Sequence, residues 1–183
     1  MSWLPESLPD RAVVGGLEFV ALTPAVVEAD YAAVMRDIPM LRAWSGQDWP
    51  TATFPIEANL ADLQRHHQEQ RDRVALTYSV LLEGVVQGCI YVRPLRDALL
   101  TRGIAAALVA ADGVAVRGWL HDRPASVLIG ATMAWLGNAP FTFPHLWWQT
   151  NTQCPDQLAA CDALGLTTTL RFDATDRTWE LRR

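Results

Sequence analysis

The spacing of apolar and polar positions divides this chain into short strands and one-sided helices. Apolar residues that alternate with polar ones predict strands, and apolar residues three to four apart on a polar background predict helices with one buried face. The predicted strands are Leu17–Leu22, Ala75–Leu82, Val85–Val92, Gly113–His121, His145–Thr150, Thr167–Phe172 and Thr178–Leu181. The predicted helices are residues 23–36, 57–73, 124–136 and 155–165.

The connections between these elements indicate a mixed sheet. Glu83-Gly84 joins two predicted strands directly, which is typical of a hairpin. Other strands are separated by helices, so both parallel and antiparallel pairs are expected. Gly118 lies inside a predicted strand, a position typical of a β-bulge. The pattern of residues 93–112 fits either a loop or a short helix.

The composition narrows the class of protein. The 183 residues are 50% hydrophobic and carry a formal net charge of −5. That length suits one core, and the charge leaves no basic surplus for nucleic-acid phosphates. We therefore predict an irregular arm over residues 1–14 and a single domain over residues 15–183. All fifteen basic residues are arginine, which excludes a lysine Schiff base and a phosphate-binding loop of the GxxxxGK(S/T) type.

The cysteines and the N-terminus predict a cytoplasmic protein. Cys89, Cys154 and Cys161 are an odd number of cysteines with no CxxC pair, which is typical of reduced thiols. No apolar run approaches the ~20 residues that a membrane-spanning helix needs. The acidic, proline-containing N-terminus differs from the basic and then apolar pattern of a signal peptide. We expect neither a membrane nor a nucleic acid as partner.

Three segments, in order, resemble the GNAT acyltransferase superfamily, in the form found in bacteria. Val85–Val92 is similar to the family's third strand, with a glycine in its middle. Ala115–His121 precedes a helix that carries Met133–Leu136, and Asn151 precedes a helix that ends in Cys161–Leu166. The resemblance covers nearly the whole chain from Leu17 onward. It implies a mixed α/β fold, with a mostly antiparallel, twisted sheet of about seven strands flanked by about four helices.

The resemblance also implies an activity and a donor. GNAT proteins transfer an acyl group, most often acetyl from acetyl-CoA, to a primary amine of a small molecule or a peptide. The family places the CoA pyrophosphate at a strand-to-helix junction with the signature Q/R-x-x-G-x-G/A, whose glycines let backbone N–H groups approach the phosphates. Arg123 matches the first position of this signature, but Ser126 and Leu128 replace the two glycines and Pro124 lacks an N–H.

The loop is therefore a degenerate version of the family's acyl-CoA site. Ser126 offers a hydroxyl and Arg123 a guanidinium to a phosphate. The residues predicted to bind the cofactor are Trp119, Leu120, Arg123, Ala125, Ser126, Val127 and Asn151.

Three residues are candidate catalytic groups. Histidine is the side chain whose ordinary pKa lies closest to neutral pH, so His121 suits a general base, with Asp122 beside it. The alternatives are a surface histidine at a strand end and a helix N-cap. Cys161 falls where the family carries a tyrosine that protonates the leaving thiolate, and a thiol could serve as that acid. Its alternative is a small buried helix residue.

Aromatic residues are the candidates for the acceptor site. Trp44 and Trp49 lie in a predicted loop that in GNAT proteins lines the acceptor site, where they would grip an apolar or planar group. The alternative is that they cover the core from outside. Tyr78 is the third predicted substrate-binding residue, whereas Trp119 and Trp135 are expected in the core. Trp147 and Trp148 should point to opposite faces of a strand.

Two further patterns carry weaker expectations. His66-His67 with Glu69 could suggest a metal, but neighbouring helix residues point about 100° apart, so no metal is expected. The apolar run Ile104–Ala110 could be a docking element.

The departures from the family signature leave a second function open, a catalytically inactive ligand-binding or protein-interaction module. Homodimerisation is compatible with each of these functions.

Overall fold

The computed structural model describes residues 3–105 and 112–183, which form one eight-stranded sheet with six helices. The strands are β1 (Arg11–Val14), β2 (Leu17–Ala21), β3 (Leu76–Leu82), β4 (Val85–Pro94), β5 (Val114–Leu120), β6 (Leu146–Asn151), β7 (Thr168–Ala174) and β8 (Arg177–Arg182). The helices are α1 (Val27–Arg36), α2 (Ile38–Ser45), α3 (Ile56–Arg71), α4 (Leu95–Leu100), α5 (Ala125–Leu136) and α6 (Pro155–Ala163).

The sheet is mixed, as the sequence predicts. Its strand order is β1-β2-β3-β4-β5-β6-β8-β7, and every neighbouring pair is antiparallel except β5 with β6. The β3–β4 hairpin turns at Glu83 and Gly84, which both have positive φ (51° and 80°) and so match the twist of the flanking strands. The predicted mixed α/β class is confirmed, with one strand and two helices more than the expected seven and four.

The additional strand lies inside the predicted irregular arm. Arg11–Val14 pairs antiparallel with β2, and Gly15 and Gly16 form the turn between them with positive φ.

The additional helices are α2 and α4. The first predicted helix ends at residue 36, shortly before Pro39, and proline often ends a helix. Here Pro39 instead lies in the first turn of α2, where a missing N–H breaks no hydrogen bond. Asp37 caps that helix by accepting the N–H of Met40 at 3.0 Å.

The two faces of the sheet carry separate helices and separate cores. On one face, α5, α6 and the N-terminal arm cover a core that includes Phe19, Tyr78 and Trp148. The other face carries two clusters, one under α1–α3 that contains Trp44 and Trp119, and one under α4 that contains Trp147, Trp179 and Leu181. Trp147 and Trp148 therefore point to opposite faces, and the expectation that Trp119 and Trp135 are buried is confirmed.

Gly118 is not part of a bulge, because β4 and β5 pair in unbroken register from Gly88↔Leu120 to Pro94↔Val114. Close approach explains the glycine instead. A Cβ at residue 118 would lie 2.8 Å from the carbonyl oxygen of Cys89 and 3.3 Å from Leu128 Cδ2. The missing side chain therefore makes the room that Leu128 occupies.

The segment 93–112 is helical in part. Helix α4 begins directly after β4 and packs Leu95, Ala98 and Leu99 against the sheet. Most of the apolar run proposed as a docking element, Ile104–Ala110, lies outside the described residues, since the structure does not describe residues 106–111. Within the described ranges, no helix combines the length and the apolar character that crossing a membrane requires.

Candidate active site

Strands β5 and β6 separate from each other after a short parallel contact. Their register holds only three pairs, from Val114↔Leu146 to Val116↔Trp148. Val114 donates its N–H toward β6 and His121 donates toward β4, so by alternation the peptide groups of Gly118 and Leu120 face the gap. Beyond Val116, the β5 edge has lost its strand partner. A gap of this kind offers unpaired backbone groups to an extended ligand.

Gln157 of α6 bridges this gap. Its Nε2 donates to the carbonyl of Gly118 at 2.9 Å, and its Oε1 accepts from the indole N–H of Trp148 at 3.2 Å. Gln157 is 6% exposed. One side chain therefore satisfies a peptide group on β5 and a side chain on β6, where the two strands no longer bond to each other.

The N-terminus of α5 lies at the end of β5. Pro124 is the N-cap residue and no side chain caps this helix end. The N–H of Ala125 is the first of the helix and has no acceptor within it. Arg123 is exposed beside it. Free N–H groups, the positive end of the helix dipole and an arginine form a local environment that favours an anion.

Asp122 does not cap α5. It has a positive φ of 59°, and both carboxylate oxygens accept from Arg36, at 2.6 and 2.7 Å. These hydrogen bonds from Arg36 lower the pKa of Asp122. The bidentate pair attaches the β5–α5 loop to the end of α1, so the geometry replaces the N-cap alternative by a loop anchor, and a catalytic role for Asp122 stays a prediction.

The replacements in the family signature are accommodated differently. Leu128 is 1% exposed and packs on Gly118, so its bulk is directed into the core and leaves the helix end open. Ser126 and Val127 are half-buried in the first turn of α5, and Leu120 is half-buried at the end of β5. Trp119, also predicted to bind the cofactor, is buried on the sheet face under α1–α3.

His121 is buried rather than exposed at the strand end. It is 7% exposed, and its Nε2 lies 3.0 Å from the carbonyl oxygen of Ala33 in α1. The carbonyl can only accept, so Nε2 carries the proton and Nδ1 is the acceptor in the neutral ring. A base role for His121 stays a prediction, and it would have to use Nδ1.

Cys161 and Asn151 are also buried. Cys161 has no exposed surface and belongs to the core under α5 and α6, where burial raises its pKa to about 11. An acid role for this thiol stays a prediction, and its packing favours the small buried helix residue. Asn151 donates to the carbonyl of Ala43 at 3.0 Å and accepts the N–H of Gln153 at 2.9 Å. Its amide therefore holds the end of α2 against β6.

A cavity of about 470 Å³ lies on the α2–α4 side of the sheet. Trp44 and Trp49 both line it, with ring centroids 6.5 Å apart. Phe54 and Tyr91 complete its aromatic wall. Its volume falls in the ordinary range for small-molecule sites, roughly 300–1,000 Å³.

Tyr78 does not reach this cavity. It is fully buried on the opposite face, edge-on to Trp135, and its hydroxyl donates to the carbonyl of Pro9 at 3.1 Å. Burial raises its pKa. Tyr78 therefore does not line this cavity, because alternation along β3 directs it into the core under α5, and a substrate-binding role for it stays a prediction.

The polar lining of the cavity was missed by sequence reasoning. Arg117 of β5 lies over the ring of Trp44, 3.9 Å from its centroid, and donates to the Trp44 carbonyl at 2.9 Å. Arg102 lies 3.6 Å from the centroid of Trp179. Burial and the charge of nearby arginines lower the pKa of Arg117 to about 9 and that of Arg102 to about 10. An arginine in mid-strand was the available signal for Arg117.

An ion-pair network forms the α3 edge of the cavity. Glu69 accepts from Arg65 at 3.1 Å and lies 3.2 Å from His66 Nδ1. The hydrogen bond with His66, together with the charge of Arg65, lowers the pKa of Glu69 to about 2 although desolvation opposes it. In the part of the chain that the structure describes, no three His, Cys, Asp or Glu residues are grouped as metal ligands.

Comparison with known structures places this architecture in a class. RimL, a ribosomal L7/L12 alpha-N-protein acetyltransferase in complex with coenzyme A, aligns at a TM-score of 0.69 and 13% identity, over 96% of each chain. Mycobacterium smegmatis RimJ with CoA-disulfide aligns at 0.69 and 13%, over 98% of this chain and 87% of its own. MccE, a microcin C7 self-immunity acetyltransferase in complex with acetyl-CoA and AMP, aligns at 0.68 and 9%, over 91% of each.

The chain therefore has the fold of the GNAT acetyltransferases. No protein-family model matches its sequence, and no curated protein sequence does. At 9–13% identity the likeness establishes the fold. Acceptor, donor and catalytic residues must be argued from this chain's own site.

Proposed function

We propose that the protein is an acyl-CoA-dependent N-acetyltransferase that acts on a primary amine of a small molecule or a peptide. The observation that carries the proposal is the separation of β5 from β6 beside the uncapped N-terminus of α5. It combines an unpaired strand edge with an anion-favouring helix end. The aromatic cavity lies on the face of the sheet opposite α5 and α6, so donor and acceptor could approach β5 from different sides.

The chain's own groups fit the proposed donor. Acetyl-CoA would supply an acyl thioester. Ala125 and Ser126 would offer N–H groups, and Arg123 a guanidinium, to its pyrophosphate. The peptide groups of Gly118 and Leu120 face the gap and would pair with an amide-containing chain, once Gln157 releases the Gly118 carbonyl. The cleft would be supported by the packing of Trp119 and Val127. Asn151 would support it by holding α2. His121, Asp122 and Cys161 stay candidate catalytic groups.

The relatives give the range of acceptors to be tried. RimL is described as acting on a ribosomal protein, whereas the MccE structure contains AMP. Peptide N-termini and small amines are therefore both reasonable acceptor panels. The three free cysteines are all buried, which supports a cytoplasmic protein, and gel filtration across protein concentrations would test for a homodimer.

The test is calorimetric titration with acetyl-CoA. Replacing Ala125 by Pro removes the first helix N–H at little structural cost, because Pro124 already has the extended backbone (ψ 143°) that precedes proline. Ala125→Ser keeps that N–H and is the matched control. We expect Ala125→Pro and Arg123→Gln each to weaken binding about tenfold, as charge-assisted hydrogen bonds suggest, and Ala125→Ser to bind like wild type. Absence of binding at millimolar acetyl-CoA would rule the proposal out.

The contact of Gln157 with Gly118 favours a second candidate, an inactive ligand-binding module. A side chain that fills the gap is what a protein without an acyl donor would retain. The two candidates differ in turnover. Acetylation of any amine in the panel, slowed by Arg123→Gln, would remove the second candidate, whereas binding without turnover would favour it.

A further inference from the structure

Three buried hydrogen-bond donors around the aromatic cavity have no acceptor in the described part of the chain. They are Trp44 Nε1, Arg117 Nε and Gln149 Nε2, and all three residues line the cavity. Trp44 is 6% exposed and Gln149 is 4% exposed. A buried donor without an acceptor destabilises the protein, because it loses its hydrogen bonds to water and gains none in return. Three such donors around one cavity indicate that the cavity is built to receive acceptor atoms.

Two arginines at the same cavity lack a counter-ion. No carboxylate of residues 3–105 and 112–183 lies within 4.0 Å of Arg102 or Arg117. The remaining residues, 1–2 and 106–111, contain no aspartate or glutamate. By contrast, the other two arginines of the lining are paired, Arg65 with Asp62 and Glu69, and Arg93 with Glu69 at 3.9 Å.

The unpaired arginines are held in place by aromatic rings. Arg102 stacks on Trp179, and Arg117 lies between Trp44 and Trp179, at 3.9 and 5.3 Å from their centroids. Stacking on aromatic faces fixes a guanidinium plane and leaves its edge free to donate. The cavity is thus lined by two guanidiniums held against aromatic rings and by two neutral donors, together with the rings of Trp49 and Phe54.

We propose that this cavity binds the anionic group, a carboxylate or a phosphate, of a small amine acceptor that also carries a planar ring. Arg102, Arg117 and Gln149 would bind the anion, and Trp49 with Phe54 would contact the ring. The inference names the substrate class of the acetyltransferase and rests on that proposed function. The inference uses observations other than the separation of β5 from β6. The arginines without a carboxylate partner line the cavity and do not lie at the N-terminus of α5.

The first test compares matched ligands on the full chain without acetyl-CoA. AMP and adenosine differ by a phosphate, and phenylalanine and 2-phenylethylamine differ by a carboxylate. We expect the anionic member of at least one pair to bind at least about tenfold more tightly by calorimetry, as charged hydrogen bonds suggest. Tighter binding of AMP than of adenosine identifies the bound group as a phosphate. Tighter binding of phenylalanine than of 2-phenylethylamine identifies it as a carboxylate. Equal binding within both pairs, or no binding at millimolar concentration, overturns the inference.

The second test separates position from charge. Arg102→Gln removes a stacked cation of the cavity, whereas Arg96→Gln removes an exposed cation of α4 that does not line it. We expect Arg102→Gln to reduce the preference for the anionic ligand, with Arg117 still present, and Arg96→Gln to keep it in full. The neutral member of the pair should bind both variants alike, which guards against loss of folding. A preference that is as large in Arg102→Gln as in wild type overturns the inference.

Acetyl-CoA titration keeps the two proposals apart. A chain that binds acetyl-CoA but shows no anion preference overturns the inference and leaves the proposed activity standing. A chain that prefers the anion but does not bind acetyl-CoA overturns the proposed activity, and the cavity then stands as an anion site. Peptides with an acidic residue next to the N-terminal amine serve as a further arm. Tighter binding of such a peptide than of either small anion overturns the small-molecule assignment.

Discussion

Gly118 lies where the backbones of β4 and β5 and the side chain of Leu128 meet. A methyl group at this position would contact the Cys89 carbonyl oxygen at 2.8 Å and Ile90 Cγ2 at 2.9 Å, and backbone cannot move aside easily. We expect Gly118→Ala to lower the free energy of unfolding by about 1–3 kcal/mol, the usual cost of overpacking. Urea denaturation provides the measurement.

Gly130 in α5 is the matched control for Gly118. The nearest atom to a Cβ there is Leu164 Cδ2 at an ordinary 3.7 Å. Because alanine favours the helix over glycine, Gly130→Ala should raise the free energy of unfolding by about 0.5–1 kcal/mol. Equal effects of the two substitutions would contradict the close approach described for β4 and β5.

Glu69 makes stability depend on pH in a defined window. Its pKa falls from 4.5 to about 2 in the folded protein. A lowered folded pKa stabilises the fold above the unfolded value, and this contribution is lost as the pH falls from about 4.5 to 2. Glu69→Gln should therefore be destabilising at neutral pH and lose its effect near pH 2. Urea midpoints measured across this range provide the check.

Glu57 supplies the control for this pH dependence. It is exposed in the first turn of the same helix and lies outside the ion-pair network. We expect Glu57→Gln to change the midpoint little at any pH in the window. A difference between wild type and Glu69→Gln that persists below pH 2 would contradict the role of the His66 and Arg65 contacts.

At the scale of elements, Gln157 determines whether the β5–β6 gap is closed. An extended ligand that bonds to β5 must replace its hydrogen bond to Gly118. A hydrogen bond contributes about 0.5–1.5 kcal/mol, so we expect Gln157→Ala to bind acetyl-CoA about two- to tenfold more tightly. Gln153→Ala, in the exposed turn before α6, should bind like wild type. Weaker binding by Gln157→Ala would show that this side chain helps to hold the ligand.

Element boundaries show what the pattern of residues can predict. The hairpin at Glu83-Gly84, helix α5 and strand β6 follow from periodicity and turn residues alone. The sequence also contains a turn signal for β1, since Gly15-Gly16 separates Arg11–Val14 from β2, but a four-residue edge strand is a weak signal. Pro39 was ambiguous because proline both stops one helix and starts another. Only the hydrogen bond from Met40 to Asp37 distinguishes these cases.

At the scale of the whole molecule, Arg73 fastens the N-terminal arm to the body. Its guanidinium donates to the carbonyls of Leu4, Pro5 and Glu6, and its own carbonyl accepts from the indole of Trp3 at 2.9 Å. We expect Arg73→Gln to lower the free energy of unfolding by about 1–3 kcal/mol and to speed proteolysis within residues 3–9. Arg71→Gln, at the exposed end of α3, should do neither.

The candidate site could be predicted only in part, because it forms from distant segments. The junction at Arg123 follows a local signature, and the family resemblance predicts Trp44 and Trp49 in a loop that lines the acceptor site. Arg102 lies in the turn after α4, Arg117 in β5 and Gln149 in β6, and no spacing along the chain relates them. Nor does sequence reveal which arginines lack a carboxylate partner, since that depends on the packing of α3 and α4.

The last turn of α2 is held by three strands at once. Arg117 of β5, Asn151 of β6 and Arg177 of β8 each donate to its final carbonyls, at 2.9, 3.0 and 2.8 Å. Because the first two belong to the strands that separate, a ligand that widens their gap must stretch these bonds or shift α2, which carries Trp44. The two ligand sites should then show heterotropic coupling, with a reciprocal change in the affinity of each ligand when the other is bound.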